Sequence, residues 1–178
     1  METATLTIKI LTLFVITVGA IVGIVQLHLL RKQIRADHDW NRRVTALRFS
    51  FSDDPGIAEI RSRLDEHLKI GTRRPGEISL EEIQKLSNTE YPNIRTDLQC
   101  VLGRLESMCI AMKNSIVDEQ VCEDMLRGVV ILYYRFFSQY IDDVRTLRNN
   151  PRIYEYLEAH ARKWDERNKD IEVRHATG

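Results

Sequence analysis

Glycine and proline are scarce in this chain, eight and four among 178 residues, and they fall at isolated punctuation points. No internal repeat and no low-complexity tract is present. An excess of one charge is missing too: 26 Lys and Arg balance 26 Asp and Glu, for a formal net charge of +0. A nucleic-acid partner normally demands a basic face, so the composition argues against one. Cysteine is limited to Cys100, Cys109 and Cys122, whose spacings fit neither Cys-x-x-Cys nor a zinc frame. All three fall at apolar helical positions and read as buried, reduced thiols. There is no Gly-x-x-x-x-Gly-Lys and no dinucleotide fingerprint. Carboxylate metal sites in helical bundles take a Glu-x-x-His pair from each of two helices, and this chain holds a single one, Glu172 with His175 near its last residues. No His lies within a helical turn of Cys109 or Cys122, although His38, His67 and His160 could converge from other helices. The sequence therefore predicts no catalytic residue, no metal ligand and no cofactor.

Formal charge is also absent from residues 10–30, a stretch of about 21 residues. As a helix it matches a bilayer core of ~30 Å. A cleaved signal peptide fits poorly, because the preceding segment carries Glu2 with one cation, Lys9, and no Ala-x-Ala pattern closes the run. The expectation is an uncleaved anchor in the cell inner membrane. Arg31, Lys32, Arg35, Arg42 and Arg43 crowd its C-terminal flank. Cations near a span stay cytoplasmic, which predicts the N-terminus outside and the C-terminal domain inside. Gly19 and Gly23 lie one turn apart and offer a dimerisation face, or are glycines of the kind common in spanning helices.

The rest reads as helices. Residues 31–39 are polar on nearly every side and suggest a stalk, followed by a helical domain over 40–168 and a mobile tail over 169–178. Trp40, Val44, Leu47 and Phe51 form one stripe, with the first helix continuing to residue 50 or so. Asp54-Pro55 starts a second helix running to about Ile70, closed by Gly71. Thr72 to Glu77 is a basic loop, and Ser79-Leu-Glu-Glu82 is a capping box for a short helix to about Leu86. Ile94, Leu98, Val101, Leu105, Met108 and Met112 alternate at four and three, a heptad seam widened by Leu102 and Cys109. Asn114-Ser115 ends that helix, and Asp118 caps the next, whose apolar positions include Val121, Cys122, Met125, Val129, Leu132, Phe136 and Tyr140. So short a turn predicts an antiparallel hairpin. Asn149-Asn150-Pro151 introduces a last helix with Ile153, Leu157, Ala161 and Trp164 inward. The fold class expected is all-α, a single N-terminal transmembrane helix followed by a cytoplasmic bundle of about five helices.

Three groups of residues stand out from that frame. Trp40, Arg42 and Arg43 could contact a partner or lipid headgroups, or Trp40 could anchor the first helix while the arginines pair with acids on another. Arg73 and Arg74 could meet headgroups, each cation contributing ~1 kcal/mol near an anionic surface, or belong to a solvated loop. Arg135 interrupts the apolar stretch Val129 to Phe137. An unpaired buried guanidinium is too costly, so it reaches water along its stem or pairs with Glu106 across the hairpin.

His38-Asp-Trp-Asn-Arg-Arg43, Glu106-Ser-Met-Cys-Ile-Ala111, Val117-Asp-Glu-Gln-Val-Cys122 and Tyr154-Glu-Tyr-Leu157 before Trp164 resemble an uncharacterised family of small single-span bacterial membrane proteins. The resemblance touches residues 30 to 165. It implies an anchored helical domain of unknown function and lends no activity. The function expected is a membrane-anchored, non-enzymatic interaction or sensor module. Its partners would be the lipid bilayer, a second copy through the transmembrane helix, and an unidentified protein. The alternatives are a membrane-perturbing defence or toxin effector and a hydrolase with a cryptic site.

Overall fold

The computed structural model describes residues 2–70 and 72–177, and side chains for 19–70 and 72–169. Among the described residues all regular structure is helical: α1 Glu2–Leu47, α2 Pro55–Leu68, α3 Leu80–Thr89, α4 Ile94–Lys113, α5 Glu119–Leu147 and α6 Glu155–Thr177. Two compact units divide the chain, residues 1–41 and 42–178.

In the first unit, α1 carries the run expected to span a membrane. That expectation is corrected: among the described residues no helix is long and apolar enough to cross a membrane. The side chains described in that run are those of residues 19–30. Arg31 and Lys32 follow directly. Residues 10–18 lie outside the described side chains. The single-span architecture, the inner-membrane location with its N-outside orientation, the bilayer as partner and dimerisation through a transmembrane face all lose their basis together. Gly19 and Gly23 have nothing within 4 Å of an added Cβ. Trp40 is 67 % exposed.

The second unit is built on α4. Its six seam residues are buried, as are Leu102 and Cys109. It packs against α2, α3, α5 and α6, while α5 also lies along α6 and touches α3. Caps set the helix starts. The Asp54 carboxylate accepts the Ile57 N–H at 3.3 Å, the Ser79 hydroxyl accepts that of Glu82 at 3.2 Å, and Asp118 accepts that of Val121 at 3.2 Å. The box at Ser79 is only half closed, because the Glu82 carboxylate turns to Arg73 instead. Helix α2 stops at Lys69, which takes a left-handed φ of 53° and gives its N–H to Asp65. Gly71, the expected stop, lies outside the described residues.

Two further expectations shift. The inward stripe near α1's end is Ala46 and Phe51, whereas Leu47 is exposed. In α5, Leu126, Val130, Tyr133 and Phe137 are buried, while Leu132 is 38 % exposed and Met125 and Val129 are half-buried. Residues 129–137 are apolar on nearly every side, so their periodicity leaves the helix's rotation open, and packing against α4 and α6 decides it.

Helix α6 starts with no N-cap side chain of its own, after Tyr154 at a φ of 56°. Glu106 supplies the cap from α4. Its carboxylate accepts the N–H of Tyr156 at 3.3 Å and of Leu157 at 2.7 Å. The Glu106–Arg135 pair is therefore corrected: Glu106 is taken by the helix terminus, and Arg135 gives Nη2 to Asp165 on α6. Glu106→Ala should cost about 1–2 kcal/mol, the loss of a good cap, and Glu106→Gln less, since an amide oxygen still accepts. Its effect should add to that of Arg135→Met, while Arg135 and Asp165 show coupling in a double-mutant cycle of melting curves.

Candidate functional site

The loop between α2 and α3 folds back onto α5. Gly76 holds a φ of +77°, and an added Cβ would stand 3.3 Å from the Ser138 hydroxyl, so only glycine fits without strain. Ile78 is then fully buried, and Leu80 donates its N–H to Asp143 of α5 at 2.9 Å. This fixes Arg73 and Pro75 beside α5.

Between that loop, α5 and α6 lies a cleft of about 400 Å³. Gly128, Ile131, Leu132 and Phe136 of α5 line it, with Arg73 and Pro75 on the loop side, Arg135 on α5 and Asn168 on α6. Gly128 sits inside a helix, where glycine costs ~1 kcal/mol against alanine. An added Cβ there meets nothing within 4 Å, so no packing demands the glycine, and the space belongs to the cleft. Asn168 is held by Arg127 Nη1, which donates to its Oδ1 at 3.0 Å. The buried Glu123 anchors the same joint, accepting from Arg167 Nη1 at 2.8 Å. Sequence reasoning missed this cleft, although a lone glycine in a strong helix followed by surplus apolar residues was a usable signal.

The residues singled out from the sequence do not converge. Arg42 Nη2 donates to the Val117 carbonyl at 3.1 Å, and Arg43 Nε to Asp118 at 3.4 Å, fastening α1's last turns to the start of α5. Arg73 pairs with Glu82, and the Arg74 N–H is accepted by Glu77 at 3.3 Å. Neither loop arginine retains a headgroup role once the bilayer is gone as a partner. Beside Arg135, Tyr133 and Phe137 are fully buried and Tyr134 is half-buried.

Two of the three thiols are buried as expected, whereas Cys100 is exposed. Burial pushes the Cys109 thiol well up and that of Cys122 to about 11, so both stay protonated. Ser115, Glu119, His160 and Lys163 line a second cleft of about 380 Å³. His160 Nδ1 lies 2.9 Å from the Tyr156 carbonyl, Glu119 binds Lys163, and no hydrogen bond joins Ser115 to His160 among the described residues. No group of three His, Cys, Asp or Glu could hold a metal ion among the described residues. The hydrolase reading has no site here, and the membrane-perturbing effector falls with the span.

The α5–α6 seam should be acid-sensitive. The Asp165 carboxyl is lowered by hydrogen bonding to Arg135, and Glu119 by hydrogen bonding to Lys163. Groups lowered on folding add stability above their unfolded values near ~4 and lose it as pH falls through the folded values. Melting temperature should fall below about pH 4, and Asp165→Asn with Glu119→Gln should flatten that fall. An unchanged slope would show that these pairs contribute nothing.

The model for a Domain of unknown function (DUF4760) matches residues 13–164. No curated protein matches the chain, and no solved structure does. The match corrects the resemblance drawn from the sequence: what it carries is a helical domain, with no membrane class attached. Since it covers well over half of the sequence, the chain belongs to the DUF4760 family.

Proposed function

We propose that this chain acts by binding a small ligand in the α5 cleft, and that it is not an enzyme. Anchoring has no part in this reading. The observation that supports it most is Gly128: a helix-interior glycine with open space over its Cα, at the floor of a cleft of about 400 Å³ lined by Ile131, Leu132 and Phe136. That volume falls within the ~300–1,000 Å³ of ordinary small-molecule sites, which join an apolar lining to a few placed polar groups. Arg73, Arg135 and Asn168 supply those groups. The non-enzymatic part rests on the Cys109 and Cys122 thiols held protonated, on Glu106 capping α6, and on His160 bonded to the Tyr156 carbonyl within α6.

Backbone amide shifts of the full-length ¹⁵N-labelled chain, titrated with a panel of apolar fragments, test the proposal. Shifts clustered on Gly128, Ile131, Leu132 and Asn168 are expected. Shifts confined to other surfaces, or none, would remove the cleft as a binding site.

A further inference from the structure

The rim of the cleft points to the ligand's head. Arg135 gives Nη2 to Asp165, and Arg73 gives Nη1 to Glu82. The remaining nitrogens, Nη1 and Nε of Arg135 and Nη2 and Nε of Arg73, have no acceptor among the described residues. Each guanidinium therefore keeps a donor edge available. No carboxylate lines the cleft itself. Asp165 also takes Lys169 at 3.3 Å, so it is shared between two cations, and the charged side chains that line the cleft, Arg73 and Arg135, are both cationic. A planar anionic acceptor matches the free edge of a guanidinium fork. Below the rim, Leu132 is 38 % exposed, and with Ile131 and Phe136 it forms an apolar floor.

We propose that the cleft takes a small molecule with an apolar body and a single carboxylate head, of the kind represented by a medium-chain fatty acid. The head meets the free edges of Arg73 and Arg135, and the body lies along α5 to the space over Gly128. The inference rests on the cleft being a binding site. Asp165 and Glu82 are then competitors: each holds one nitrogen of the guanidinium that the ligand's head approaches.

Titration calorimetry of the full-length chain with decanoate, decanol and decyl phosphate tests this. Decanoate should bind about tenfold or more tightly than decanol, since charge-assisted bonds form only with the acid. Arg135→Gln should erase that preference. Asp165→Asn should strengthen decanoate binding by freeing Arg135, whereas a variant that merely loosened α5 from α6 would weaken it. Decanol binding as tightly as decanoate, or decanoate weakened by Asp165→Asn, would overturn the carboxylate head and leave the cleft standing. Tighter binding of decyl phosphate would overturn it as well. Failure of all three probes, together with amide shifts absent from the cleft, would remove the binding site itself.

Discussion

Leu105→Asp should abolish the cooperative melting of residues 42–178. Leu105 is 1 % exposed at the centre of α4, between the fully buried Val101, Leu102, Met108 and Cys109. Truncating such a leucine to alanine costs about 2–5 kcal/mol from lost burial and the cavity left behind. Aspartate adds a carboxylate that must be desolvated without a partner or be neutralised by taking up a proton. Total stability of a domain is only ~5–15 kcal/mol. Helix α4 packs against α2, α3, α5 and α6, so no rotation moves the charge to solvent without breaking another interface. A far-UV circular-dichroism melt with the wild-type transition intact would show that the seam is not the core.

Asp97→Ala should cost about 2–3 kcal/mol, or roughly 4–12 °C in melting temperature. Asp97 is 6 % exposed, one of the few buried acids in the described core. Its Oδ2 accepts from Arg63 Nη2 at 2.9 Å, from Arg63 Nε at 3.2 Å and from the Tyr91 hydroxyl. The ring of Tyr91 in turn lies 4.5 Å from that of His67. One carboxylate thus ties α2, the α3–α4 loop and α4. Alanine leaves the Tyr91 hydroxyl facing a buried gap, and that unmet donor is the larger part of the expected loss. Asp97→Asn, which keeps an acceptor, should lose less. Equal losses would show that charge rather than hydrogen bonding holds the cluster.

Helix boundaries and the α4 seam were legible because their signals are local. Asp54, Ser79 and Asp118 each cap where the pattern places them, and a heptad of Ile, Leu, Val and Met admits one inward face. The partners of single charges were not legible. Glu106 and Arg135 sit at matching heights on two arms of a presumed hairpin, and the sequence offers no warning that α6 claims both. Nor does anything mark Asp97 as buried, since an acid beside a seam ordinarily faces water. In α5 the signal is too strong rather than too weak: apolar residues on every side conceal which of them, Leu132 among them, remain uncovered. The run at 10–30 was read as a span from its length and lack of charge, and no helix among the described residues is long and apolar enough to cross a membrane.

The α5 cleft is the centre of this account, and filling it is the direct test. An added Cβ meets open space at both Gly128 and Gly103, but only Gly128 lines the cleft. Both positions are helical, and leucine is a far better helix former than glycine, so neither Gly128→Leu nor Gly103→Leu should lower the melting temperature. The deciding measurement is calorimetric titration of both full-length variants with decanoate. The account predicts that Gly128→Leu abolishes binding while Gly103→Leu keeps the wild-type affinity. Undiminished binding to Gly128→Leu would contradict it.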